Sequence, residues 1–184
     1  MKTTISIATP AEVETESLVA VVLDQSTPNA NDKNKKPDLK VAAADTALQS
    51  VAGDLLASGE VSGKLFETNL IHKPSGLKAK RLLLISGGSA KSFTAYDLRR
   101  VAGAAVRTLK TRGIRSFAFV APTGIGAQEA VRAVVEGAHV GNFDPDYYRS
   151  DRKDQKIEEV TVVATGDKSS LEKLAAELRK FVAG

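Results

Sequence analysis

The sequence predicts an α/β domain, and three stretches carry that prediction. Residues 80–86 run Lys80-Arg-Leu-Leu-Leu-Ile-Ser86, with four consecutive large aliphatic side chains and no alternation. A strand of that kind has both faces covered. Residues 115–122, Arg115-Ser-Phe-Ala-Phe-Val-Ala-Pro122, place Phe117 and Phe119 on one face and Ala118 and Val120 on the other. Neither face is polar. Between them lies a long amphipathic segment. Strand, helix and strand in this order form a βαβ unit with parallel strands.

The remaining elements follow along the chain. Residues 2–8 alternate, with Thr3, Ile5 and Ile7 on one face, which predicts a half-buried strand at a sheet edge ended by Pro10. Residues 18–23 form a continuous aliphatic run and predict a central strand. Residues 24–38 hold no large apolar side chain and read as a mobile loop, whose Lys33, Lys35 and Lys36 are a solvated tip. Ala44, Leu48, Val51, Ala52 and Leu55 recur at helical spacing, so a helix is expected over about 43–58, ended by Gly59. Residues 66–72 are the next strand. The turn residues between 73 and 79 predict that it pairs antiparallel with 80–86, making the sheet mixed.

Thr94-x-x-Asp97 opens the amphipathic helix as a capping box. Leu98, Val101, Ala102, Ala105 and Leu109 form its buried stripe, and Gly113 ends it. Thr123-Gly-Ile-Gly126 leads into a third helix striped by Ala127, Ala130, Val131, Val134, Val135 and Ala138. Residues 141–154 read as irregular and carry Phe143, Tyr147 and Tyr148. Residues 156–165 predict a last strand with Val160, Val162 and Ala164 inward. Ser169-x-x-Glu172 opens a final helix with Leu171, Leu174, Ala175, Leu178 and Val182 on one face.

Composition narrows the chemistry. The chain has 184 residues, 42% hydrophobic and 26% charged, which suits one soluble domain. It has no cysteine, so disulfides, thiolate metal sites and a catalytic thiol are excluded. A net charge of +4 is mild for a dedicated nucleic-acid binder. No signal peptide or membrane-spanning run is read. His72 and His139 are far apart without H-E-x-x-H spacing and read as structural. No G-x-S-x-G elbow is present. Ser86-Gly-Gly-Ser89 and Thr123-Gly-Ile-Gly126 sit where open α/β sheets bind ligands, yet neither completes a phosphate-binding fingerprint, and both read as tight turns. Arg99, Arg100, Arg107 and Lys110 lie opposite the apolar stripe of their helix, with Arg112 and Arg115 beyond. They read as a solvated face, with a contact to phosphates or to an acidic subunit as the sharper alternative.

Several stretches together resemble the N-terminal domain of the leucyl (cytosol) aminopeptidase family. They are Leu56-Ala-Ser-Gly-Glu-Val-Ser-Gly-Lys64 with Glu67-Thr68, Gly76-Leu-Lys-Ala-Lys-Arg-Leu-Leu-Leu-Ile85, Phe93-Thr-Ala-Tyr-Asp-Leu-Arg-Arg100, and Glu136-Gly-Ala-His-Val-Gly-Asn-Phe143 with Tyr147. The resemblance covers nearly the whole chain. It implies a macro-like, three-layer α/β/α domain with a mixed sheet of about six strands. It also implies two-metal (Mn or Zn) removal of N-terminal residues from peptides in a cytoplasmic homohexamer. In the family the metal ligands belong to a C-terminal domain, which residues 1–184 stop short of. No catalytic, cofactor-binding or metal residue is therefore carried over, and residues 1–184 are expected to be a single non-catalytic scaffold. Phe143, Tyr147 and Tyr148 are the candidate contacts to that catalytic domain or to a neighbouring subunit. Two alternatives stand beside this: a macro-like module binding ADP-ribose or another nucleotide, and a DNA-contacting domain using the helix at 94–112.

Overall fold

A computed structural model describes residues 1–26, 36–143, 155–165, 169–170, 173–174 and 176–177. Along the chain it has β1 (Lys2–Ser6), β2 (Leu18–Asp24), β3 (Leu39–Val41), α1 (Thr46–Ser58), β4 (Thr68–His72), β5 (Arg81–Ser89), α2 (Ala95–Thr111), β6 (Ser116–Val120), α3 (Ala127–Asn142) and β7 (Glu159–Val163). One seven-stranded mixed sheet runs in the order β1-β7-β6-β2-β5-β4, with β3 attached to β2. The pairs β1–β7, β7–β6, β6–β2 and β2–β5 are parallel; β4–β5 and β2–β3 are antiparallel.

The aliphatic runs become the middle of the sheet, as their lack of alternation requires. From Leu18 to Leu23 no residue is more than 5% exposed, and Leu82 to Ile85 are at most 1% exposed. Alternate side chains of each strand feed two cores. Val19, Val21, Leu83, Ile85, Phe117, Phe119, Val160 and Val162 pack under α2 and α3. Leu18, Ala20, Val22, Leu82, Leu84, Ala118 and Val163 pack against Leu48 and Ala52 of α1. Helices on both faces make this the expected three-layer α/β/α arrangement. The βαβ unit is present as β5–α2–β6, with β2 lying between its two strands.

Helix boundaries follow local chemistry. At Thr94 the capping box is complete: the Asp97 N–H donates to Thr94 Oγ1, and the Thr94 N–H donates to Asp97 Oδ2. Asp45 caps α1 by accepting from the Leu48 N–H at 2.8 Å, and Gly59 ends that helix at φ 82°. Gly113, at φ 72°, follows the cap of α2.

The expected mixed sheet of about six strands is present, with seven strands among the described residues, because three-residue β3 shares one edge of β2 with β6 and so short a run gives no periodicity. The structure corrects three expectations. Residues 86–89 are not a turn. They continue β5, and Gly88, at φ 79°, sits where the β2–β5 register shifts. Residues 141–142 are not irregular, since α3 runs through Asn142. Phe66 precedes β4 instead of opening it, with a positive φ of 67°. The loop reading of 24–38 falls partly, at 27–35, outside the described residues. So does most of the final helix, of which Leu174 is buried in the core under α2 and α3.

Candidate functional site

Glycine sets the distance between α2 and α3. A Cβ on Gly137 would lie 2.1 Å from the Arg99 carbonyl oxygen, and one on Gly141 would lie 2.5 Å from that of Gly103. The two helices therefore touch backbone to backbone. Their outer surfaces define a groove of about 420 Å³ lined by Phe66, Tyr96, Arg99, Arg100, Arg107 and Val140, with Gly103 and Gly137 between them.

Each side chain there is placed by its neighbours. The Arg100 guanidinium lies 5.1 Å from the centre of the Phe66 ring and 5.8 Å from that of Tyr96. Such stacking is worth about 0.5–1 kcal/mol at exposed sites and fixes the plane of the guanidinium. Arg100 also approaches Asp97 at 3.7 Å, and Arg99 approaches Glu136 of α3 at 3.7 Å. Arg107 reaches back over Gly103, with Nη1 3.9 Å from the position a Cβ would take there. No carboxylate among the described residues lies within ion-pair distance of Arg107. Tyr96 is 67% exposed and Val140 59%.

Phe66 holds a backbone conformation that bulky residues rarely adopt. The surroundings impose it. The Phe66 N–H donates to Ser86 O, the Ser86 N–H to Glu67 O, and the Glu67 N–H to Lys64 O. The Glu67 carboxylate accepts from the N–H and hydroxyl of Ser62. Burial pushes the Glu67 carboxyl up, but hydrogen bonds from the Ser62 hydroxyl and the N–H groups of Ser62, Gly63 and Lys64 leave it below its ordinary value.

Of the three aromatic contact candidates, Phe143 caps α3 and is 72% exposed, and its carbonyl accepts from Lys110 Nζ at 3.1 Å. Tyr147 and Tyr148 lie outside the described residues. Asn142 beside Phe143 exchanges two hydrogen bonds with the backbone of Ile157, at 2.8 and 3.0 Å. His72 ends β4 and is exposed. His139 is half-buried, with Nε2 3.5 Å from Thr3 Oγ1. No group of three or more His, Asp or Glu that could hold a metal occurs among the described residues.

The two glycine-rich segments sit in different surroundings. Added atoms at Gly87 would strike Phe93 and Leu23, so Gly87 is closely packed, while Gly88 beside it faces open space. Thr123 borders a pocket of about 260 Å³ at the carboxyl ends of β1, β6 and β7, where open α/β sheets bind ligands. Its lining is mostly apolar and carries Asp45 and no Lys or Arg, the wrong charge for a diphosphate. The basic face of α2 is likewise less open than its spacing implied, since Arg99, Arg100 and Lys110 have partners on the protein. Sequence reasoning missed Phe66 as the seat of Arg100. The i, i+4 spacing of Tyr96 and Arg100 was the available signal.

Comparison with known proteins adds the family. The model for the N-terminal domain of the cytosol aminopeptidase family matches residues 15–152. The chain belongs to that family. A probable cytosol aminopeptidase of Koribacter versatilis is 41% identical, the match covering 94% of this chain and 36% of the relative. One from Acidobacterium capsulatum is 40% identical over 88% of this chain and 33% of its own length. The chain thus spans about a third of the length of these curated relatives. Among solved structures, a mutant tomato leucine aminopeptidase superposes with a TM-score of 0.68 at 17% identity, covering 96% of this chain and 35% of that one. The bottromycin maturation enzyme BotP in complex with Mn gives 0.55 at 21%, covering 89% and 28%. At those identities the likeness speaks for the fold.

Proposed function

We propose that this chain is the N-terminal, non-catalytic part of a metal-dependent leucyl aminopeptidase, an enzyme that removes N-terminal residues from peptides. Its role is scaffolding. It seats the C-terminal catalytic domain and takes part in building a cytoplasmic homohexamer, with Phe143, Tyr147 and Tyr148 among the contacts. The observation that carries this reading is the family match to an N-terminal domain over residues 15–152 in relatives roughly three times as long. The sheet supports it, because both its faces are already covered and its core needs no further domain to close. The fold is macro-like in this reading. The two divalent ions, Mn or Zn, belong to the C-terminal part, and Mn in the solved BotP complex agrees with that. They supply Lewis-acid activation and hydroxide there. No set of residues described in this chain fits them, so no step of the hydrolysis is assigned to it. A cytoplasmic location accords with the family's name and with the absence, among the described residues, of any helix long and apolar enough to cross a membrane.

A chimera tests the proposal. Residues 1–184 replace the corresponding third of the Koribacter versatilis relative. The expected result is a hexamer that hydrolyses leucine amide with added Mn²⁺, while residues 1–184 alone release no leucine. Hydrolysis by residues 1–184 alone, or a folded chimera that stays monomeric, would overturn it.

A further inference from the structure

The α2–α3 groove combines features that neither packing nor solubility demands. Tyr96 and Val140 expose large apolar surface at its walls. Arg100 lies within cation–π distance of two rings, at 5.1 and 5.8 Å. Arg107 projects over a glycine with no carboxylate to meet it among the described residues. The Arg99–Glu136 pair is long and half-exposed, so it is worth at most about 1 kcal/mol and yields readily to a better-placed carboxylate. Phe66, at φ 67° and partly buried against the core, lies beneath Arg100. Exposed tyrosine and arginine with a half-buried phenylalanine around a preformed depression is the composition of binding hot spots.

We propose that this groove docks a short acidic peptide segment of a partner protein, one carrying a large apolar side chain among its carboxylates. Charge complementarity selects the occupant. Arg99, Arg100 and Arg107 outnumber Glu136 and Asp97 by one, a small positive excess that suits a segment with a few carboxylates better than a densely charged polyphosphate. Planar guanidinium groups take carboxylates in bidentate pairs. The apolar side chain sits on Tyr96 and Val140. From Tyr96 to Arg107 the helix rises about 17 Å, the length of roughly five extended residues. This proposal stands apart from the assembly role and does not depend on it.

Fluorescence anisotropy of the 184-residue chain tests it. The probe is a labelled peptide in which aspartate and glutamate flank one phenylalanine, and its control has lysine at every acidic position. The acidic probe is expected to bind, and the lysine probe to show no binding. Arg107→Ala weakens binding about tenfold, and Arg107→Glu about a hundredfold. Tyr96→Ala weakens it about tenfold through the apolar anchor. Both positions changed are exposed, so thermal melts of the three variants should match the parent and certify the fold. Equal binding of both probes, no binding at about 1 mM acidic peptide, or indifference to Arg107→Glu would each overturn the proposal. Competition by mixed-sequence duplex DNA at lower concentration than unlabelled peptide would also overturn it, by assigning the groove to phosphates.

Discussion

His139 shows how much one side chain can report. Spacing alone left it as a histidine near a helix end. In the fold it is half-buried beside β1, with Thr3 at 3.5 Å. Burial lowers its pKa from the ordinary 6.5, and the positive chain terminus at Met1 lowers it further. The unfolded chain therefore takes up a proton near pH 6.5 that the folded chain does not. Stability from this group is complete above that pH and declines as the pH falls below it, until the folded histidine protonates too. The melting temperature of residues 1–184 is expected to drop between about pH 7 and 5.5, and His139→Gln should flatten that drop. An unchanged pH slope in the variant would show that the folded and unfolded values coincide. None of this was readable beforehand, because the partner that matters lies at the other end of the chain.

At the scale of elements, the glycines of the helices have opposite meanings. Gly53 in α1 has nothing within 4 Å of where a Cβ would stand, whereas Gly137 in α3 would drive one to 2.1 Å from the Arg99 carbonyl. Gly53→Ala should stabilise the fold by up to about 1 kcal/mol, through helix propensity. Gly137→Ala should cost about 3 kcal/mol, because α3 must back away from α2. Chemical denaturation of the two variants would decide, and a stable Gly137→Ala would show that the helices are not locked together by contact. Sequence and structure agree best where a local rule governs. The Thr94 capping box, the stop at Gly59 and the stripe of α2 depend on neighbours a few residues apart, and all are found where they were read. The disagreements sit where distant residues decide. Residues 86–89 look like a turn until β2 is seen to run alongside them, and residues 141–142 look irregular until Gly141 is seen packed in α3 against Gly103.

For the whole molecule, the sheet and its two cores were legible because uninterrupted aliphatic strands admit only a covered sheet. The order of the strands was not, since parallel neighbours are joined through long connections. The groove between α2 and α3 was also hidden, as it needs Phe66 from one part of the chain and Val140 from another. Phe143 belongs to this scale as well. It stands 72% exposed at the end of α3, so Phe143→Ala should leave the melting point of residues 1–184 unchanged. In the full-length enzyme of the proposal, the same change, combined with Tyr147→Ala and Tyr148→Ala, should shift gel-filtration elution toward smaller species. A hexamer of undiminished stability would remove these aromatics from the assembly contact.

The pairing of β1 with β7 has a consequence for how the chain is made. Lys2 lies beside Glu159, and among the described residues β1 has no other strand for a neighbour. During synthesis β1 precedes β7 by most of the domain, so this pair cannot form until β7 has been made. Residues 2–6 can pair only once β7 is available, whereas β2 meets β5 much earlier in the chain. Protease sensitivity near the amino end of a nascent chain should vanish only when the β7 residues emerge.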